Sequence, residues 1–276
     1  MNPILDPISA FVEEVQASRK YRSLHLPPDL LRDLLQHELT AGHSQKEAEK
    51  LARQKLHNLV APYLGDPDYP QAVMLLEEAF ASRDPAGQEQ VCMRLLQAHA
   101  STRERLPILE EFYSALFLVT GLPSSILDLA CGLNPLAFPW MGLPPSVRYI
   151  ACDIHQPRLD LLNRFFQHQG MNALAEQRDV LADPPPYRVE VAFFFKEAHR
   201  FEQRQRGCNR AFWQAIQAHW LLVSLPSVSL GGHHSLRERQ RRLVYGVLQG
   251  LAWPVVELEI GSELIFCIEK GDETQT

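Results

Sequence analysis

From Asp6 to about Leu118 the apolar residues return at three- and four-residue intervals, the period of an amphipathic helix. The pattern predicts helices near residues 5–21, 28–41, 44–60, 70–82, 87–99 and 103–119. The breaks between them have backbone causes: Pro27-Pro28, Gly42, Pro62, the turn Gly65-Asp66-Pro67, and Asp84-Pro85 followed by Gly87. No strand-like run interrupts this half, so it reads as all α. After Gly121-Leu122-Pro123 the pattern changes to short apolar runs alternating with helical stretches. The runs are 125–129, 147–151, 173–177, 189–195 and 220–225, followed by 255–260 and 264–268, the last two joined by the tight turn Gly261-Ser262-Glu263. Alternation of this kind predicts an α/β domain with a Rossmann-like, mostly parallel seven-stranded sheet closed by a C-terminal hairpin. The expected division is a helical domain over 1–100 and an α/β domain over 101–276.

Composition narrows the classes. The chain has 276 residues, 46% hydrophobic and 22% charged, enough to bury a large core. Its N-terminus lacks the basic start and unbroken apolar stretch of a signal peptide, and no run reaches the length of a membrane span, so no membrane association and a cytoplasmic location are expected. Cys92, Cys131, Cys152, Cys208 and Cys267 show no Cys-x-x-Cys pair and read as buried thiols. His233-His234 has no Cys or acidic partner at ligand spacing, and no metal is expected. A net charge of −6 disfavours indiscriminate coating of nucleic acid, so any RNA contact must come from local patches.

The chemistry concentrates where the first strand ends, at Asp128-Leu-Ala130-Cys-Gly132-Leu-Asn134-Pro135. An acidic strand end, then a turn of small residues entering a helix, lets a ligand approach backbone N–H donors closely; the same residues also serve as an ordinary strand-to-helix turn. A nicotinamide fingerprint needs three spaced glycines for its pyrophosphate, and only Gly132 is present. S-adenosyl-L-methionine carries no phosphate, and a five-stranded parallel sheet with a terminal hairpin suits a methyltransferase better than a dinucleotide domain. Asp153, at the end of the second predicted strand, can accept hydrogen bonds from ribose hydroxyls or cap the next helix. Asp179, after the third, sits where an adenine amino group could be held, with Val180 and Leu181 against the ring. Phe195 and Lys196 end the fourth strand, where a methyl acceptor should arrive, and an ammonium there needs an acidic or phosphate partner. Ser101 and Glu104 form a capping-box pattern, with Arg105 in the first helical turn; a cation beside a helix N-terminus opposes the dipole and calls for an anion, such as the methionine carboxylate.

Taken in order, Ser18-Arg-Lys-Tyr-Arg22, His99-Ala-Ser-Thr-Arg-Glu-Arg105, Asp128 to Pro135, Cys152-Asp-Ile-His-Gln156, Asp179-Val-Leu181, Ser229-Leu-Gly-Gly232 and Glu263-Leu-Ile265 span nearly the whole chain. In these segments the chain resembles the aminoglycoside-resistance methyltransferases that modify N7 of a guanine, position 1405, in the decoding site of 16S ribosomal RNA. The resemblance implies that Arg105 holds the cofactor carboxylate with His99 and Ser101 around the methionine end. It places Ala130 and Gly132 in the cofactor turn, Asp153 with Ile154 at the ribose, Asp179 with Val180 at the adenine, and Phe195 closing the pocket, with Gln205 contributing. It further implies that the helical domain docks on the 30S subunit, with Lys20 and Arg22 as candidate rRNA contacts; Lys196 and Arg237 are further candidates from the basic runs, and a monomer is expected.

The chain departs from the family pattern in two places. Glu197-Ala-His-Arg-Phe201 stands where an apolar stretch containing Leu and Pro is usual. Residues 1–60, expected to be basic, carry eight Lys or Arg against eight Asp or Glu. Two further basic runs, Lys196/Arg200/Arg204/Arg206/Arg210 and Arg237/Arg239/Arg241/Arg242, could supply patches or simply be solvated faces. Guanine N7 has an exposed lone pair and no proton, so in-line methyl transfer needs no general base and no catalytic acid or base is expected. Methylation of another rRNA nucleotide or of a small molecule, and a non-catalytic ribosome-binding relative, stand as the other readings.

Overall fold

The structure is a computed structural model describing residues 6–60, 67–228 and 235–270. Pro62, Gly65-Asp66, Ser229 to Gly232 and His233-His234 lie outside the described residues.

The helical half follows the apolar period closely. It comprises α1 (Pro7–Ala17), α2 (Pro28–Thr40), α3 (Gln45–Val60), α4 (Tyr69–Ala81) and α5 (Pro85–Ala98). Proline opens α1, α2, α4 and α5, where its missing N–H costs nothing. Asp68 caps α4 by accepting from Gln71 N, and Asp84 caps α5 by accepting from Ala86 N and Gly87 N. The single helix expected over 103–119 is instead a one-turn α6 (Ala100–Arg103), a 3-10 turn at Leu106–Ile108, and α7 (Leu109–Thr120). Pro107 cannot donate to the preceding turn and divides them. The capping box does not form. Ser101 Oγ bonds to His99 Nδ1 at 2.7 Å and Glu104 bonds to Lys196, so neither side chain caps a helix.

The sheet comprises β1 (Ser125–Leu129), β2 (Arg148–Asp153), β3 (Ala173–Gln177), β4 (Val189–Phe195), β5 (Ala218–Pro226), β6 (Val255–Ile260) and β7 (Glu263–Glu269), in the order β3-β2-β1-β4-β5-β7-β6. The first five are parallel and β7 runs antiparallel to both β5 and β6, the predicted hairpin. Strand alternation divides the side chains between two cores. Ile126, Tyr149, Val191, Phe193 and Ile265 pack with α4, α5, α7 and α8 (Gln156–His168) on one face. Leu127, Leu129, Phe194, Val223 and Phe266 pack on the other with α9 (Ala198–Arg204), α10 (Cys208–Ala215) and α11 (Arg237–Leu248). All five cysteines are buried free thiols within or beside these layers.

A third core belongs to α1, α2 and α3, built from residues such as Val15, Leu30, Leu31, Leu35, Ala52 and Leu56. The contrast with α4 and α5 is physical. Leu76, Leu95 and Leu96 belong to the sheet's own core, so the change in packing falls between α3 and α4 rather than at residue 100. Ile154 joins the third core at its edge, and the Gln177 amide donates to both His25 O and Ile154 O, tying the helical unit to the ends of β2 and β3. Among the described residues, no helix is long and apolar enough to cross a membrane.

Candidate active site

Strand β1 lies between β2 and β4, so chain direction away from the centre reverses beside its carboxyl end, the position at which parallel sheets open a crevice. A cavity of about 600 Å³ opens there. Its floor is the turn after β1. Cys131 N donates to Cys152 O at 2.9 Å, and Ala130 and Gly132 both take left-handed backbone conformations, at φ 51° and 55°. At Gly132 the absence of a side chain is doubly required: a Cβ would also lie 3.2 Å from the His99 ring. The turn leads not into an α-helix but into a 3-10 segment, Asn134–Trp140, in whose interior Pro139 removes an N–H donor that an α-helix would use.

Asp153 is 2% exposed and its carboxylate holds this floor together. It accepts from Gly132 N at 2.9 Å, His155 N at 3.0 Å and Arg158 Nη1 at 2.8 Å. Burial alone would raise its pKa, but the Arg158 charge and the two backbone donors outweigh it and hold the group below the usual carboxylate range. Asp128 behaves differently. It accepts from Tyr149 Oη at 2.7 Å and Asn134 Nδ2 at 2.9 Å, and burial pushes its carboxyl up to about 7 against those bonds.

Arg105 does have an anionic partner, and it is a protein group. Its Nε and Nη2 each meet Glu263 at 2.7 Å; Nη1 donates to Asn134 Oδ1 at 3.0 Å and Nη2 to Ser224 Oγ at 3.1 Å. The guanidinium lies 4.4 Å from the ring centroids of both Phe112 and Phe195. Four of its five N–H donors are thereby used, leaving one on Nη1. Lys196 also finds the acidic partner its position demands, in Glu104 at 2.6 Å and Glu263 at 3.0 Å, and donates to Ser101 O at 3.1 Å. Although burial favours the neutral acid, the Arg105 and Lys196 charges hold Glu263 down to about 2. Lys196, a candidate rRNA contact from the sequence, is 8% exposed with a left-handed backbone, φ 62°, and its ammonium is engaged by Glu104, Glu263 and Ser101 O.

Seven of the expected cofactor residues line the cavity: His99, Ser101, Arg105, Ala130, Gly132, Asp153 and Phe195. Ile154, Asp179, Val180 and Gln205 do not. Asp179 is taken by Arg204, whose Nη1 and Nη2 meet its two oxygens at 2.8 and 2.6 Å, while Nη2 also reaches Asp33 of α2 at 2.5 Å. Val180 is buried in the second core, and Ile154 packs toward α1–α3. The basic runs are similarly reduced. Arg204 is buried, Arg210 donates to Val247 O and Gln249 O, Arg237 pairs with Glu259, and Arg241 pairs with Glu257 and Glu238. Lys20 and Arg22 are exposed, Lys20 within 3.2 Å of His57 Nδ1. The rest of the cavity wall comes from residues the sequence did not single out for it, chiefly Asn134, Glu197, His199, Arg200, Gln203 and Arg239. Asn134 was signalled by its place in the turn after β1, and the others by the departure at Glu197 to Phe201 and the charge runs beside it.

The model of the ribosomal RNA methyltransferase (FmrO) family matches residues 17–266, from the end of α1 through the cavity residues and into β7. The chain belongs to that family. A relative from Frankia casuarinae, named 16S rRNA (guanine(1405)-N(7))-methyltransferase, is 31% identical, with 94% of this chain and 92% of the relative covered. The solved structure of the 16S rRNA methylase RmtB has 29% identity and a TM-score of 0.75 over 95% of this chain and 98% of that one. The 16S rRNA methyltransferase RmtF, solved with S-adenosyl-L-homocysteine, shares the fold at a TM-score of 0.78 and 24% identity, covering 96% and 98% of the two chains. The expected architecture, a class I methyltransferase sheet preceded by helices, is the one this methyltransferase has.

Proposed function

We propose that this methyltransferase transfers the methyl group of S-adenosyl-L-methionine to N7 of guanine 1405 of 16S rRNA within the 30S subunit. The observation that carries the reading is the near end-to-end match to relatives bearing that activity in their names, together with a cavity at the carboxyl edge of β1 and β4. The residues present suit the donor. Gly132 leaves beside His99 the space a Cβ would fill. A carboxylate offers about four lone-pair positions, and Asp153 has given three to Gly132, His155 and Arg158, so one ribose hydroxyl can be received rather than two. The methionine carboxylate would meet the remaining Nη1 hydrogen of Arg105, with His99 and Ser101 beside it. Adenine recognition through Asp179 is left out of the proposal, because Arg204 holds both of its oxygens.

When bound, the donor supplies an electrophilic methyl on a sulfonium. The work of the protein is to orient the purine, exclude water and tolerate the charge that moves to it. Phe195, stacked on Phe193 at 4.8 Å between ring centroids, gives a rigid apolar wall at the end of β4. The target base would be turned out of its stack, at a cost of about a few kcal/mol offset by binding elsewhere on the subunit. Exposed Lys20 and Arg22 on the helical unit support a docking role for that unit, with Arg237 as a rim contact able to exchange Glu259 for phosphate. A cytoplasmic monomer that confers aminoglycoside resistance completes the proposal.

The test uses labelled donor, intact 30S subunits and cleavage of the rRNA chain at N7-methylguanine. Label confined to guanine 1405, with raised aminoglycoside tolerance in bacteria expressing the protein, is the expected result. Label at another nucleotide, or none, overturns it.

A further inference from the structure

We propose that Glu197 reads the Watson–Crick edge of the target guanine, its carboxylate accepting from N1–H and the N2 amino group while N7 faces the methyl donor. This rests on the guanine N7 reading and adds the residue that selects the base. Glu197 lies two residues beyond β4, immediately before α9, lines the cavity, and keeps 16% of its side chain exposed. Among the described residues its ion-pair partner is Arg200 Nη1, at 3.4 Å from Oε1, and neither carboxylate oxygen accepts a hydrogen bond. The adjacent Lys196 cannot satisfy it. The left-handed backbone at Lys196 accompanies an ammonium committed to Glu104, Glu263 and Ser101 O.

A carboxylate with open acceptors in the wall of an RNA-modifying cavity repels phosphate and wants a pair of donors. Guanine alone among the four bases presents two neighbouring donors, N1–H and the N2 amino, on its Watson–Crick edge. That edge lies across the purine from N7, so a base held there keeps N7 free. Adenine would bring the N1 lone pair against the carboxylate and be rejected. The same contact favours the reaction. The N7 lone pair forms the N–C bond, the C–S pair returns to sulfur and no proton moves, so one positive charge passes from sulfonium to purine, where a carboxylate stabilises it.

Burial pushes the Glu197 carboxyl up to about 7, opposed by Arg200 on α9 and Arg158 on α8 and reinforced by Asp153 at the end of β2. His199, whose pKa burial lowers to about 4, is uncharged in the same range. The acceptor pair is thus completed as pH rises through 7, and the single-turnover rate should climb about tenfold between pH 6 and 8.

The experiment measures single-turnover methylation of 30S subunits by the wild type, Glu197→Gln and Glu197→Asp, on subunits carrying guanine or inosine at the target. Inosine keeps N7 and N1–H but lacks the amino group. The wild type should slow about tenfold on inosine. Glu197→Gln should lower kcat about 30-fold, lose the pH dependence and show no further loss on inosine, with KM for subunits and calorimetric affinity for S-adenosyl-L-homocysteine within about twofold of wild type. Glu197→Asp, which keeps the charge, should recover part of the rate. A Gln variant at wild-type rate, or equally sensitive to inosine, overturns the role of Glu197 alone. Absence of N7 methylation by the wild type overturns the parent reading, and this one with it.

Discussion

Glu263 shows how much a single buried carboxylate can organise. At 2% exposure it receives Arg105 and Lys196, and through them it joins the link between α6 and the 3-10 turn, the end of β4 and the start of β7. Removing one member of such a group leaves the others charged in a dry site, so Glu263→Gln should cost about 3–5 kcal/mol in urea unfolding. The pH dependence has a definite sign. The folded pKa near 2 lies below the ordinary 4.5, so the contribution of Glu263 is complete above about 4.5 and disappears as pH falls toward 2. The Gln variant should therefore lose less additional stability than wild type across that window; parallel curves would show that the pair does not couple folding to pH. Asp128 acts oppositely, since its folded pKa is raised to about 7 from 3.8, and its proton-linked stability is lost as pH rises through 7. Sequence reasoning demanded a partner for both Arg105 and Lys196. For Lys196 it asked for an acid or a phosphate, and the fold supplies Glu104 and Glu263; for Arg105 it supplied a ligand carboxylate where the fold supplies Glu263, 158 positions away, because a pairing so distant leaves no local pattern.

At the scale of elements, Arg204 fastens three together: α9, which carries it; the loop after β3, through Asp179; and α2, through Asp33. Its two acids are not equivalent. Asp179 is 5% exposed and Asp33 36%, so water can replace Arg204 at the second but not at the first. Arg204→Met should destabilise by about 3–5 kcal/mol, with Asp179→Asn on the same background restoring part of the loss. Asp33→Ala should cost no more than about 1 kcal/mol. Chemical denaturation of the four proteins checks this, and a loss at Asp33 equal to that at Arg204 would refute the ranking. The elements themselves were largely legible. Strands β1, β3, β4 and β6 begin at the residues the patterns predict: β1 and β4 because a buried central strand is an apolar run bounded by turns, and β3 and β6 because a half-buried edge strand alternates between its two faces. The division of α6 from α7 was not legible, because the helical period continues through Pro107 and the apparent cap at Ser101 depends on where His99 and Lys196 come to lie.

Across the whole molecule, charge is arranged more sparingly than the sequence runs suggested. Of the basic residues near the cavity, Lys196 and Arg204 are consumed internally and Arg237 and Arg241 are paired, while Arg200 and Arg239 remain in the wall. On the helical unit Lys20 and Arg22 stand exposed. Replacing both with Ala should weaken 30S binding and reduce the slope of log affinity against log salt by roughly 1–2, about one counterion for each phosphate no longer neutralised. An unchanged slope would remove α1 and the turn after it from the interface. The apolar periods, the proline and glycine breaks and the Asp128 to Pro135 turn are local properties of the chain. They were enough to define helices, strands, the parallel sheet with its hairpin and the position of the cavity. Which acid meets which base is settled by approach in three dimensions. Only the fold could assign Glu263 to Arg105 and Arg204 to Asp179, and leave the carboxylate of Glu197 open to the cavity.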